Sequence, residues 1–370
     1  MRNRLHALCP YFAMFPEAFV ERALLRHTVA GDWVFDPFSG RGTTVLQALL
    51  MGRQAAATDV NPVAYCVSAA KARLPELRSV LARVDELQQS HSRSSPRRVD
   101  EERRSLPPFF GRAFHYRTLN ELLFLRGRLN WKTDDTDRFI AAILLGILHG
   151  EMGRSTRYLS NQMPRTISTK PDYSLRYWRS RGLWAPRRHV FSRVKQEAGL
   201  RLAGETPSMR GTVAMTDARH ASRTLTSLRG KIAAFVTSPP YFNVTNYEED
   251  QWLRLWLLGN APRPTYRAIS RDDRHERESD YWHFLTDAWL GLQTLARSDA
   301  VLICRIGGVG LQGPTVTAKL TESLLLAFPN ASLVGKPRRS EIRKRQTPAF
   351  RPGSVGCRFE VDYTFALHPV

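Results

Sequence analysis

A run of six uncharged residues, Ile232-Ala233-Ala234-Phe235-Val236-Thr237, ends abruptly on Ser238-Pro239-Pro240-Tyr241. A short apolar run bounded by turn residues reads as a buried strand. The prolines stop it, because neither can donate to a strand ladder and both fix φ. The chain is thereby held to a sheet with a rigid turn at a strand's carboxyl end, where open α/β sheets carry their ligand sites. The turn offers a hydroxyl, an unrelaxing backbone and an aromatic ring. Those groups suit a flat amide-like moiety, such as the amino edge of a nucleobase. Taken alone, the same residues equally describe a proline turn that caps a strand.

A second stretch supplies a partner for the first. Asp32-Trp33-Val34-Phe35-Asp36 reads as a buried strand, followed by the turn Pro37-Phe38-Ser39-Gly40-Arg41-Gly42. A helix is expected from Thr43 to Met51, closed by Gly52. Gln54 to Thr58 reads as a second strand ending at Asp59, and Asn61-Pro62 opens a helix from Val63 to about Leu74. This strand, loop, helix, strand, acid order is of the nucleotide-binding kind. Asp36 would repel a pyrophosphate, so the turn does not suit a phosphate cradle. It suits a ligand with an ammonium group and no phosphate, a character that S-adenosylmethionine has. Gly40 and Gly42 let the backbone approach, and the amides that open the helix at Thr43 and Thr44 face a carboxylate. Asp59 is placed to accept from ribose hydroxyls. Asp217, expected to end a third strand over Gly211–Thr216, is placed to accept from an adenine amino group. Any one of these acids is more often a simple helix cap or turn residue; three at three strand ends are harder to read that way.

The remainder divides by composition. Residues 75–205 hold helical patterns and few convincing strands, and read as a helical insertion between residues 1–74 and 206–370. Within it, Ser90 to Arg98 is expected to be a mobile linker. Farther on come a helix over Glu248–Leu258, a helix over Tyr281–Leu295, a strand over Ala300–Ile306, and terminal strands over Ser332–Gly335 and Phe359–Leu367 around a basic loop from Lys336 to Arg351. The formal charge is +21, and eight of the 55 basic residues are lysine. A codon bias explains arginine over lysine but not the excess of base over acid. A strong positive field favours a polyanion, with nucleic acid leading. Four scattered cysteines form no metal spacing and suit a reducing cytoplasm. The longest apolar run, Phe139–Leu148, is too short to span a bilayer. Pro10, Pro16, Glu17 and Glu21 break up any signal-peptide core, so the expected location is cytoplasmic, with no membrane and no metal.

The chemistry of the proline turn follows from its ligand. The exocyclic amino group of cytosine or adenine is a poor nucleophile, because its lone pair is delocalised into the ring. Acceptors for its two hydrogens return density to nitrogen, and alignment with a sulfonium methyl lowers the barrier further. The Ser238 hydroxyl and the Pro239 carbonyl are such acceptors, Pro240 fixes their geometry, and Tyr241 can stack on a base that has left the duplex.

Asp36 to Thr44 and Thr237 to Tyr241 together resemble the two signature motifs of amino-group DNA methyltransferases. The Ser-Pro-Pro-Tyr form is the one usual in enzymes of cytosine N4; those of adenine N6 more often begin with Asp or Asn. The resemblance covers roughly residues 8–74 and 208–370. It implies a Rossmann-like α/β fold with a seven-stranded, mostly parallel sheet whose last strand is reversed. It implies S-adenosylmethionine as cofactor, held by Asp36, Phe38, Gly40, Gly42, Thr43, Thr44, Asp59, Asn61 and Asp217, with Phe12 and Phe15 in a covering segment; on residue type alone, those two rings are more often core. Double-stranded DNA is the implied substrate, and a cognate restriction endonuclease the implied partner in a restriction–modification pair. DNA contacts are expected from Arg165, Lys170 and Arg176 in the insertion, and from Arg338, Arg339, Arg343, Lys344 and Arg345 in the tail. Adenine N6 methylation and RNA base methylation stay open, as does a non-catalytic nucleic-acid-binding subunit of the same fold. Carbon methylation is disfavoured because no cysteine follows a proline, and the absence of a His/Cys cluster argues against zinc-dependent deamination.

Overall fold

The computed structural model describes residues 3–11, 15–94, 96–153, 156–164, 169–242, 247–265, 277–308, 313–342 and 357–368. The chain forms two compact units. A sheet unit comprises Tyr11–Arg73, Pro207–Thr245 and Arg267–Val370; a helical unit comprises Met1–Pro10, Leu74–Thr206 and Asn246–Tyr266.

The sheet unit is built on β1 (Trp33–Asp36), β2 (Gln54–Thr58), β3 (Thr212–Ala214), β4 (Ile232–Thr237), β5 (Ala296–Gly307), β6 (Ser332–Leu333), β7 (Arg338–Glu341) and β8 (Phe359–Ala366). The order is β3-β2-β1-β4-β5-β8-β6, with β7 also paired to β8. Strands β1 to β5 run parallel, and β8 is antiparallel to β5, β6 and β7. This is a Rossmann-like α/β sheet. Chain order reverses between β1 and β4: from β1 the path goes outward through β2 and β3, then returns to β1's other side. Such a switch point opens a crevice at the strands' carboxyl ends.

The apolar strand runs follow from burial on both faces. Phe35, Ala56, Phe235 and Leu302 pack into one core with Tyr281, Leu285 and Trp289. Their sequence neighbours Val34, Ala55, Ala57, Ala234, Val236 and Ile303 pack into a second core with Phe19, Leu24, Val45 and Leu49. Alternate side chains thus feed opposite layers, each covered by helices.

The helical unit has its own core. Phe110 meets Trp256 at 4.5 Å between ring centroids, and Phe109 meets Trp252 at 5.1 Å. A Cβ on Gly146 would fall 2.1 Å from the Leu8 carbonyl oxygen, so Leu8 and Cys9 lie directly on helix Asp135–Ile147. Between 75 and 205 no strand occurs among the described residues, only an isolated bridge of Glu151 to Met163.

Several expectations are corrected. The Ser90–Arg98 linker is helical on both sides of residue 95, over Leu77–Arg93 and Pro96–Ser105, with Pro96 at a first-turn position where its missing N–H costs nothing. The helix expected over Glu248–Leu258 is two short ones, Tyr247–Asp250 and Trp252–Leu257. The sheet has an eighth strand: part of the expected basic loop, Arg338–Glu341, pairs with β8, and the Arg339 guanidinium covers the Phe359 ring at 4.2 Å. Strand β3 stops at Ala214, so Asp217 lies three residues past it. All four cysteines are free and buried, and among the described residues no group of three or more His, Cys, Asp or Glu could hold a metal. No described helix is long and apolar enough to cross a membrane.

Candidate active site

Adjacent β1 and β4 carry the two motifs to the same edge of the sheet. At their ends the Thr237 hydroxyl donates to Asp36 Oδ1 at 2.7 Å, and both residues are fully buried. The Phe38 amide donates to the same oxygen at 3.1 Å. Asp36 Oδ2 has no hydrogen-bond donor in bonding geometry, because the neighbouring Thr44 hydroxyl is committed to the Val236 carbonyl at 3.0 Å. Burial pushes the Asp36 carboxyl up to about 6, against the lowering effect of the Thr237 and Phe38 donors.

The glycine turn is held from several sides. The Gly40 amide donates to Asp59 Oδ2 and the Asn61 amide to Asp59 Oδ1, each at 2.9 Å. Burial pushes Asp59 up to about 7, and the nearby Asp36 charge adds to the rise while those two amides oppose it. One edge of Asp59 stays open to solvent, which moderates the shift. The Ser39 amide donates to the Thr58 carbonyl at 3.0 Å, and the Thr58 hydroxyl to the Pro37 carbonyl at 2.9 Å. Gly42 has φ +71° at the start of helix Thr43–Leu50, and a Cβ there would meet Ser68 Oγ at 2.7 Å and Ser68 Cα at 2.9 Å. Only glycine fits both the left-handed backbone and that approach.

Two supporting residues escaped sequence reasoning. Lys71, fully buried on helix Pro62–Ala72, donates to the Arg41 carbonyl at 2.6 Å and so holds the turn from beneath. Arg41 itself donates through Nε to the Thr43 hydroxyl at 3.2 Å. A buried lysine in an otherwise small and apolar helix was the available signal, since a buried charge needs a partner.

The proline motif bows out of the sheet. Thr237 pairs with Cys304, and Phe242 forms an isolated bridge to Gly308, so five steps on one chain oppose four on the other. Ser238 and Pro240 are half-buried at the bow, and Pro239 is buried. Tyr241 is 5% exposed and packs with Cys357 and Ile342, so its ring face is covered in this conformation rather than offered for stacking. Its hydroxyl donates to Glu360 Oε1 at 2.8 Å. Burial raises the phenol well above its ordinary value, with Glu360 adding to the rise. Glu360 is paired with Arg305 at 3.3 Å, and Arg305 donates to both Asp362 oxygens at 2.6 and 2.9 Å. The Arg305 guanidinium also lies 4.3 Å from the Phe19 ring centre. This chain of contacts ties the motif to β5 and β8, and no local sequence signal announces it.

The other expected residues fall as follows. Phe15 is a core residue, 5.3 Å from Phe19 between ring centroids. Phe38 is half-buried against Phe284 and Trp289. Thr43 and Thr44 are buried with their hydroxyls turned to protein, leaving backbone amides for a ligand. Asn61 caps its helix by accepting from the Val63 amide at 2.9 Å. Asp217 caps the short turn Ala218–His220, and both its oxygens accept from the Arg219 guanidinium at 3.0 Å; the helix-cap alternative describes it. Arg339 is paired with Glu341 at 2.9 Å, Arg338 and Arg176 are exposed, and Lys170 is half-buried at the start of helix Pro171–Ser180. Phe12, Arg165, Arg343, Lys344 and Arg345 lie outside the described residues.

The turn fits a polar ligand on its own evidence: Asp36 Oδ2, Ser39 Oγ and Ser68 Oγ are buried polar atoms without hydrogen-bond partners. Such atoms are destabilising unless something satisfies them.

Residues 2–70 match the model of the N6/N4 methyltransferase family, described as DNA methylase. Over 60 residues the chain is 38% identical to the Type II methyltransferase M.MjaII of Methanocaldococcus jannaschii, a stretch that is 16% of this chain and 11% of that relative. The chain thus spans about a tenth of the length of the curated relative it matches. Among solved structures, TrmN from Thermus thermophilus is 10% identical with a TM-score of 0.37, covering 98% of this chain and 52% of that one. The rRNA methyltransferase AviRa from Streptomyces viridochromogenes is 12% identical with a TM-score of 0.36, covering 98% and 94%. At those scores neither bears on substrate, and the fold is evident from strand order and direction. Over residues 2–70 the chain is similar to the amino-group DNA methyltransferases.

Proposed function

We propose that this chain transfers a methyl group from S-adenosylmethionine to the N4 amino group of cytosine in DNA, acting on a base turned out of the duplex. The observation that carries the reading is the Thr237–Asp36 hydrogen bond, which ties the acid of the glycine turn to the strand that leads into Ser238. Two motifs whose bonded residues lie 201 positions apart thereby share one edge, as a two-substrate transfer requires.

In this reading Asp36 and Asp59 face the cationic and hydroxyl groups of the cofactor, and the amides opening helix Thr43–Leu50 face its carboxylate. The cofactor supplies an electrophilic methyl on a sulfonium. The chain's own groups do the rest. Ser238 Oγ and the Pro239 carbonyl accept the two amino hydrogens, which raises lone-pair density on nitrogen. Pro239 and Pro240 hold these acceptors in place, so little reorganisation is needed as charge develops. The network Tyr241–Glu360–Arg305–Asp362 fixes the far end of the turn. Ser238, in place of an acid, supports cytosine as the target. The helical unit is the candidate target-recognition region.

Incubation with methyl-labelled S-adenosylmethionine and either duplex DNA or RNA, followed by nucleoside analysis, tests the reading. N4-methylcytosine in DNA is the expected product. N6-methyladenine, or label confined to RNA, refutes the substrate assignment, and absence of S-adenosylmethionine binding refutes the enzyme.

A further inference from the structure

Helix Pro171–Ser180 and the turn after it display aromatic rings backed by arginine. The inner face is fixed: Ser174 and Trp178 are fully buried, and the Trp178 indole donates to the Gln162 carbonyl at 2.9 Å. The outer face carries Tyr173, 54% exposed, one turn from Tyr177, with ring centroids 6.5 Å apart. The Arg181 guanidinium stands 4.1 Å from the centre of the Tyr177 ring. Beyond it Trp184 is 71% exposed, with the Arg112 guanidinium 3.7 Å over its ring. Arg112 is itself anchored, donating to the Trp178 carbonyl at 3.3 Å. One face of the indole is therefore covered by a fixed cation and the other is left open.

Charge points the same way. From 170 to 188 the only acid is Asp172, against six basic residues. The exposed Arg176, Arg179 and Arg181 have no carboxylate partner among the described residues. A merely solvated face would carry such charges without an indole held open among them. Guanidinium-backed rings present a flat, fixed surface beside free phosphate ligands, and that combination matches nucleic acid with unstacked bases.

The geometry points to a docking face for opened DNA: unpaired bases stack on Trp184 and Tyr177, and Arg176 and Arg179 take phosphates. This rests on the DNA-methylation reading, because removal of a base from the helix leaves its neighbours and its partner unstacked.

The test uses the full chain and fluorescein-labelled oligonucleotides of one sequence as single-stranded DNA, gapped duplex, intact duplex and RNA, read by anisotropy at several salt concentrations. Single-stranded or gapped DNA binds more tightly than intact duplex. Trp184→Ala and Tyr177→Ala each weaken that binding by about five- to a hundredfold, the range for loss of one stacked base. Trp184→Phe keeps a ring and stays within about threefold of the wild type. The double variant Arg176→Gln, Arg179→Gln lowers the slope of log affinity against log salt by about one to two. Melting curves and S-adenosylmethionine affinity stay at wild-type values in all of them. Undiminished DNA binding by both alanine variants overturns the proposal, as does a Trp184→Phe as weak as Trp184→Ala, or preference for RNA. If the wild type neither binds S-adenosylmethionine nor transfers methyl, the functional reading falls while the variant comparison on DNA still decides this face.

Discussion

Thr237→Val isolates the bond on which the proposed site turns. Valine keeps the shape and loses the hydroxyl, so the fully buried Asp36 forfeits its 2.7 Å donor. A hydrogen bond to an ionised group contributes about 1.5–3 kcal/mol. At about 1.4 kcal/mol per pKa unit, the loss moves Asp36 from about 6 to about 7–8. Only the ionised form attracts a cationic ligand. At about pH 6.5 the variant therefore binds S-adenosylmethionine about three- to twentyfold more weakly, and the deficit closes by about pH 9 as both proteins ionise. The same shift has a stability sign. Folded Asp36 sits above its unfolded value of about 3.9, so its full contribution is present below pH 4 and is lost as pH rises to about 6 in the wild type, or to 7–8 in the variant. Isothermal titration across pH, in buffers of different ionisation enthalpy, measures both affinity and proton release. A binding midpoint that does not move on Thr237→Val refutes the coupling of Asp36 to the ligand.

Three other outcomes are expected. Gly42→Ala forces a side chain into left-handed backbone and against Ser68 Cα at 2.9 Å, so it should cost about 2–4 kcal/mol and weaken cofactor binding; an unchanged melting temperature would show that the turn relaxes freely. Ser238→Ala should lower turnover by about a hundredfold or more with S-adenosylmethionine affinity unchanged, and wild-type turnover removes Ser238 from the chemistry. Tyr241→Phe and Glu360→Ala should each slow turnover yet combine with a coupling of about 1 kcal/mol or more, because they break one hydrogen bond; strict additivity in the cycle excludes the link.

The sheet's first half was legible because its strands are buried on both faces. Gln54–Thr58 and Ile232–Thr237 have the observed bounds, and the turn between Asp36 and Thr43 could be read from its glycines. Weaker signals misled. Arg338–Glu341 is too polar to announce a strand, and forms one because β8 offers it an edge and Phe359 a ring. Asp217 reads as a third ligand acid from the sequence, and in the structure both its oxygens accept from Arg219. Tyr241 reads as an exposed stacking ring from its motif, yet Cys357, more than 100 residues distant, covers it. Glu360, Arg305 and Asp362 meet across β5 and β8, and pairing at that range leaves no spacing to detect.

The four buried cysteines give the chain a set of internal timers. A thiol reacts only when it is both exposed and deprotonated, and burial raises Cys304 and Cys357 above their ordinary range. In the folded chain all four are silent towards alkylating reagents, and each begins to react at the rate at which its own surroundings open. Cys304 lies within β5, so it reports rupture of the sheet. Cys357 lies against Tyr241, Ile342 and Gly307, so its clock reports opening around the proline turn. The ratio of those two rates separates breathing at the reactive edge from unfolding of the scaffold, with no engineered residue needed.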